Sequence, residues 1–484
     1  MRMYPTRFPT LLAALAALMV AGCAVGPDFK TPDAPTDPRY TTGPQPVQLP
    51  AAGFPTQTLA AGDVPAQWWT LFGNPQLDDT VRLALANSPT LTQARARLRE
   101  AQENLAARTG ATQFPQVDAK LNATRQQVDL TSVGITQFPS PGPFTLYNAS
   151  VQVSYALDLF GGQRRELEGL SATVDYQRYE LEAARLSLAA NVATTAIREA
   201  GLRAQLADTV AIAQAQDRQL GIMRERLKAG GVARVDVQRQ QSELAQTQAL
   251  IPGLSQQLDA ARHQLAVYTG QSPGSAQLPE FRLEDLHLPE SLPLSLPSEL
   301  ARRRPDIRAA EALLHQASAD IGVATANLYP QITLTASGGT QEMRARDLFN
   351  SLNIWSLAAG VVQPVFHGGE LRAQKRAKEA AYEQSLGAYR QAVLQGLQNV
   401  ADTLRALDAD AGTLQARADN AQQTRDTLGI VSEQYRLGGV SQFTVIDAER
   451  QARQAALDLS QARAARLADS AALMQALGGG WWSE

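Results

Sequence analysis

Cysteine is almost missing from this chain: Cys23 is the only one in 484 residues, so no internal disulfide can form and no thiolate cluster can hold a metal. Histidine is nearly as scarce. His263, His287, His315 and His367 lack the spacing of a ligand set, and no metal or cofactor is expected. No apolar run reaches the roughly 18 residues that a spanning helix needs, so any crossing of a membrane must be made by strands. A net charge of −3 leaves no basic excess for nucleic acid. Paired carboxylates and nucleophile-base arrangements do not stand out either. His367-Gly368-Gly369 has no Gly-x-Ser-x-Gly elbow to serve, and no enzyme is expected.

Proline occurs 26 times but is absent between Pro143 and Pro252 and from Pro364 to the C-terminus. These tracts are rich in Ala, Leu, Gln, Arg and Glu, which predicts uninterrupted helix. Gln163 to Ala229 alone would span about 100 Å as one α-helix. Apolar residues recur by sevens at Leu206, Ala213, Leu220 and Leu227. They recur by threes and fours at Leu404, Leu407, Ala411, Leu414, Ala418, Ala421 and Leu428, the spacing of side-by-side helix packing. Gly230-Gly231 and Gly438-Gly439 interrupt the tracts, as glycine does where a helix closes with φ above zero.

Those two breaks belong to a wider pattern. Ser88-Pro89-Thr90-Leu91 matches Arg304-Pro305-Asp306-Ile307, Phe114-Pro115-Gln116 matches Tyr329-Pro330-Gln331, and Leu159-Phe160-Gly161-Gly162 matches Val365-Phe366-His367-Gly368-Gly369. One structural plan is executed twice. Each copy also holds two segments of alternating polarity, such as Val117, Ala119, Leu121 and Ala123 against Asp118, Lys120 and Asn122, and period two marks strands. The first repeat is placed at 67–275, with strands at about 116–125 and 145–159 and a helical hairpin at about 163–269. A linker at 276–297 leads to the second repeat, 298–484, with strands at about 331–339 and 352–366 and a hairpin at about 369–477.

At the N-terminus, Arg2 and Arg7 precede the apolar run Leu11 to Ala21, and Val20-Ala21-Gly22 leads into Cys23. That is an exported precursor whose residues 1–22 form a signal peptide. A sole cysteine at this point resembles the bacterial lipobox, so Cys23 is expected to be diacylated, the one covalent group anticipated; an ordinary signal peptide with an incidental cysteine is the alternative. Removing 1–22 takes two arginines and no acids, so the net charge moves from −3 to −5. Ala24 after the cysteine suggests sorting to the outer membrane, and residues 23–66 read as a Pro-rich, lipid-anchored tether.

Four strands cannot close a membrane barrel, whose minimum is about eight, and an open edge is forbidden in lipid. Two copies would supply eight strands around a filled interior, whereas three would supply twelve and leave a lumen. The expected fold class is an α+β membrane protein: an internally duplicated protomer whose four β-strands contribute to a trimeric 12-stranded outer-membrane barrel and whose long α-helices form a periplasmic α-barrel.

At this point the chain resembles the TolC-type outer-membrane efflux proteins, and within them the lipid-anchored, OprM/NodT-like drug-efflux branch. Cys23-Ala24-Val25-Gly26-Pro27-Asp28-Phe29, Trp68-Trp69 with Phe72, Arg302-Arg303-Arg304-Pro305-Asp306-Ile307 and the tip segment Tyr435 to Arg450 carry the resemblance. It implies a homotrimer in the outer membrane of a Gram-negative bacterium that passively conducts small molecules such as drugs. It also implies partners: a periplasmic membrane-fusion adaptor contacting the hairpin tips at Gly230, Gly231, Gly438 and Gly439, and an inner-membrane pump of the RND type. By the same resemblance Phe443, Asp447 and Arg450 line a periplasmic gate, with Phe443 bulkier than the aliphatic residue common there. Another reading of those three keeps Phe443 inside the hairpin and pairs Asp447 with Arg450 on the surface. Trp481 and Trp482 fit an interface anchor or terminal packing equally. An exported coiled-coil scaffold or adaptor without a pore is the alternative function; it leaves the four alternating segments unexplained.

Overall fold

The computed structural model describes residues 24–43, 47–53, 55–129, 134, 136–137, 139, 141–350, 352 and 354–483. Residues 1–22, read above as a signal peptide, and Cys23 lie outside them. In chain order the elements are β1 (Gln48–Leu49), β2 (Gln57–Ala61), α1 (Pro75–Asn87), α2 (Pro89–Gln113), β3 (Gln116–Gln126), β4 (Phe144–Leu157), α3 (Gly162–Lys228) and α4 (Arg234–Tyr268). There follow β5 (Ser291–Leu294), α5 (Pro297–Arg303), α6 (Pro305–Ala326), β6 (Gln331–Glu342), β7 (Ile354–Val362), α7 (Glu370–Arg436) and α8 (Gln442–Ala476). The duplication is visible in the lengths: α3 and α7 each have 67 residues, α4 and α8 each 35. Pro89 and Pro305 open α2 and α6 directly after a preceding helix ends, because proline suits a first turn and pushes the residue before it out of the helical region.

The repeats do not fold as separate bodies. Two compact units form, each from matching pieces of both repeats: of the described residues, those from Ala24 to Pro32 with Leu98–Gln177 and Ala310–Tyr389, and Asp33–Arg97 with Arg178–Ala309 and the chain from Arg390 on.

The first unit holds an antiparallel sheet in the order β3-β4-β6-β7. Its register puts Val117, Val153, Ala336 and Leu357 side by side, and beside them Ala119, Val151, Gly338 and Trp355. Over these rows one face is therefore apolar, until Thr340 and Glu342 join it opposite Ala149 and Tyr147. Val117, Leu121, Trp355, Leu357 and Val361 stand well exposed on it, which a water-facing sheet does not tolerate over such an area. The other face carries the row Asp118, Gln152, Ser337 and Ser356, where Ser337 and Ser356 hydrogen-bond at 2.8 Å and Lys120 Nζ donates to Gln152 at 2.6 Å. β6 runs on to Glu342, past the Gly338-Gly339 pair where side-chain alternation fades. β7 spans only Ile354–Val362, and Pro364, which has no N–H for a ladder, follows two residues later.

In the second unit a core of Trp68, Phe72, Leu77, Val81, Ile197, Leu265, Phe281, Leu407, Leu467 and Met474 is buried. Two expectations are corrected here. The segment read as tether contributes β1 and β2, and the segment read as linker contributes β5; β2 pairs with both neighbours, antiparallel to β1 and parallel to β5. Buried Gln57 donates to Pro289 O at 2.9 Å, and Leu49 and Val64 are buried. Proline density excluded helix from 23–66, but it did not exclude packing. Trp481 and Trp482 also pack internally: Trp481 lies edge-on to Tyr179 and donates to Arg303 O at 2.9 Å, while the Arg303 guanidinium sits over the Trp482 ring.

Candidate functional site

Both hairpins turn by the same device. After α3, Gly230 N donates to Leu227 O at 3.0 Å and Gly231 N to Arg226 O at 2.7 Å; after α7, Gly438 N donates to Tyr435 O at 2.9 Å and Gly439 N to Gln434 O at 2.8 Å. These bonds occupy carbonyls that a helix end otherwise leaves unpaired. Only the first glycine of each pair needs the left-handed region, with φ of 76° at Gly230 and 80° at Gly438. Ser441 then caps α8, its hydroxyl accepting from Thr444 N.

The two tips meet within the second unit. Ala213, Leu220, Met223, Val237 and Leu244 form a buried seam between α3 and α4, against which Ile446 of α8 packs. Beyond that seam Arg226 lies over the Tyr435 ring at 5.5 Å and donates to Gln442 Oε1 at 3.2 Å, and Arg239 lies over the Phe443 ring at 5.4 Å. Between the tips is a cleft of about 740 Å³ bordered by Arg226, Arg239, Glu243, Phe443, Asp447 and Arg450.

Phe443, Asp447 and Arg450 thus come together on one face of α8. Phe443 is 52% exposed and is not in the hairpin interior. Asp447 accepts from Arg450 at 2.9 Å and from Gln451 at 2.7 Å, so the acid-base pairing of the alternative reading is made even though the burial is not. Asp447 holds the Arg450 guanidinium above its usual pKa through that hydrogen bond. Of the seam residues of α7, Leu404, Leu407, Ala411, Leu414 and Ala421 are buried as their spacing predicts, and Ala418 and Leu428 are half-buried. Arg226 and Arg239 were missed by sequence reasoning. A signal for Arg239 existed, since carrying Asp447 back by the 208 residues between Gly230 and Gly438 lands on it.

The model of the outer membrane efflux protein family matches residues 80–271 and 296–479. The chain belongs to the outer membrane efflux protein family. It is therefore a Gram-negative outer-membrane efflux channel, and it extends into the periplasm. The pyoverdine export outer membrane protein OpmQ of Pseudomonas aeruginosa is 34% identical over 88% of this chain and 90% of its own length. The toluene efflux pump outer membrane protein TtgC of Pseudomonas putida is 27% identical over 98% and 96%. Among solved structures, the outer-membrane channel OprN superposes with a TM-score of 0.84 at 28% identity, covering 95% of this chain and all of its own. The two matched stretches of this efflux protein coincide with its two repeats, so the family pattern is itself duplicated.

Proposed function

We propose that three copies of this chain close one twelve-stranded barrel and serve as the exit duct of a tripartite efflux pump, passing small molecules such as drugs from periplasm to exterior without catalysis. The observation that carries the reading is the four-stranded sheet with an exposed apolar face and two outer edges, on β3 and β7, that pair with no further strand among the described residues. Lipid cannot satisfy those edges, so another copy must. An even number of alternating antiparallel strands lets β7 of one copy meet β3 of the next in the same antiparallel sense. Twelve strands leave a lumen where eight do not.

At the tips, the adaptor contacts the turns at Gly230, Gly231, Gly438 and Gly439, and a pump of the RND type lies beneath it. Threefold symmetry turns Phe443, Asp447 and Arg450 into three rings, an apolar constriction beside a charged collar, which is a gate. That one relative is named for pyoverdine export and another for toluene efflux supports a conduit that does not itself select its cargo. A lipid on Cys23 anchors the chain.

The test is single-channel conductance of detergent-purified protein in planar bilayers, comparing the parent with Phe443→Ala and Asp447→Ala. A small resting conductance that rises in either variant is expected. Conductance indifferent to both moves the gate elsewhere, and a folded oligomer that never conducts rules out the duct.

A further inference from the structure

The segment that follows Cys23 does not hang free. Val25 N donates to Phe160 O at 3.0 Å, Thr31 Oγ1 donates to Glu311 Oε1 at 2.8 Å, and the Phe29 ring stacks on the His315 imidazole at 4.4 Å. At the centre is Arg165, whose side chain is only 6% exposed. Its Nε donates to Val25 O at 3.3 Å, one Nη donates to Asp28 Oδ1 at 2.6 Å, and the other donates to Glu168 Oε2 at 2.7 Å. Glu168 in turn holds His315 Nε2 at 2.8 Å, tying the ring under Phe29 to the same guanidinium. Gly26 makes the approach possible: its φ is 95°, and a Cβ there would lie 2.5 Å from Gly322 Cα.

A buried guanidinium is costly unless its donors are taken up, and three of the acceptors here, Val25 O, Gly26 O at 3.5 Å and Asp28, belong to the incoming segment. Arg165 therefore needs the segment, and the segment, which has no regular structure of its own, needs Arg165. The place it is held is informative. Ala24 lies against Gly161, where a Cβ would come within 2.6 Å of Ala24 Cα, just beyond the end of β4 at Leu157. Leu157 pairs with Ile332 and Ile332 with Val361, the last row of the apolar face.

We propose that Arg165 is a positioning residue for the lipid anchor: it clamps Ala24–Thr31 as a strap, so that an acylated Cys23 is fixed at the foot of β4, beside the membrane-facing surface, and is not carried on a loose tether. This rests on the reading of Cys23 as lipidated. It also gives Gly26, Asp28 and Phe29 a physical task.

A nitroxide on Lys30→Cys of the full-length, membrane-extracted protein reports the strap, since an acylated Cys23 has no free thiol. In the parent background the label is immobilised. In Arg165→Met its rotational correlation time falls by about tenfold, toward that of an exposed chain. Gly26→Ala, which leaves Arg165 intact but forces the strap off Gly322, gives the same release. Light scattering in detergent confirms that each variant is a folded oligomer, and Gly26→Ala decides the matter if Arg165→Met does not assemble. A label that stays immobile in the folded variants overturns the clamp. Palmitate incorporation separates the two claims: a parent without palmitate overturns the anchor, and the strap is then read in a Cys23→Ser background, where Lys30→Cys is the only thiol.

Discussion

Replacing Arg304 with methionine tests what the Arg-Pro-Asp signature does. The Arg304 side chain is 10% exposed, and its guanidinium grips Asp306 with two bonds of 2.9 and 2.7 Å. The remaining Nη donates to Ala476 O at 3.0 Å and Gly396 O at 3.3 Å. Gly396 lies inside α7 and keeps a helical partner when the arginine is lost. Ala476 is the last residue of α8, where carbonyls have no intrahelical donor, so its oxygen is left buried and unpaired, at about 1–3 kcal/mol. With the lost charge-assisted bonds, the expected cost of Arg304→Met is about 2–4 kcal/mol per protomer. Asp306 is 46% exposed, so solvent screens the pair and Asp306→Asn should cost about 0.5 kcal/mol. Arg304→Lys should fall between, because one ammonium cannot span the same fork. Unfolding of a membrane oligomer is irreversible, and the readout is a rate: loss of helical ellipticity at one temperature, with Arg304→Met on the order of a hundredfold faster than the parent. If Asp306→Asn accelerates unfolding as much as Arg304→Met, the ion pair and not the carbonyl clamp holds α8, and the reasoning fails.

Three further outcomes are expected. Burial and the neighbouring Asp469 carboxylate push the Asp410 pKa up to about 6 despite Arg466; because the folded form then binds a proton more tightly than the unfolded one, stability falls as pH rises from about 4 to 6. Asp410→Asn should remove that slope and slow thermal inactivation at neutral pH. Gly438→Ala should cost about 1–2 kcal/mol, since an L-residue resists φ of 80°, whereas Gly439→Ala, whose nearest neighbour would be Gln434 O at 3.4 Å, should be close to neutral; growth on a toxic efflux substrate compares them. Val151→Arg, on the apolar face, should cost about 2–4 kcal/mol near the bilayer midplane and reduce the yield of membrane-inserted protein, while Gln152→Arg on the opposite face should insert normally.

Much of the architecture was legible because it is written in periodicities. Alternation located β3 and β4 to within a residue or two, and the heptad spacing from Leu404 to Ala421 marked the buried side of α7. What the sequence hid has physical reasons. Glycine carries no side chain to show a face, so the end of β6 beyond Gly339 was invisible, although β4 pairs with it as far as Glu342. Proline reports the absence of helix and is silent about packing, which is why residues 48–61 looked like tether while β2 lay against β5. The tip residues Phe443, Asp447 and Arg450 could be named from the resemblance. Their surroundings could not, since Arg226 and Arg239 approach from the other hairpin.

The duplication explains why those approaches are possible. Arg226 reaches Tyr435 and Gln442, and Arg239 reaches Phe443, only because hairpins of equal length bring equivalent turns together. Deleting one residue from α3 alone would draw its tip back by about 1.5 Å and rotate it by about 100°, turning Arg226 away from the Tyr435 ring. No local feature of α3 demands 67 residues; the demand comes from α7. At the positions equivalent to Phe443 and Asp447 the first hairpin carries Val235 and Arg239, so the copies kept their lengths while their tip chemistry diverged, with the charge reversed. Length is the property that the two repeats must share, while the arginines of the first tip are what reach the aromatic rings of the second.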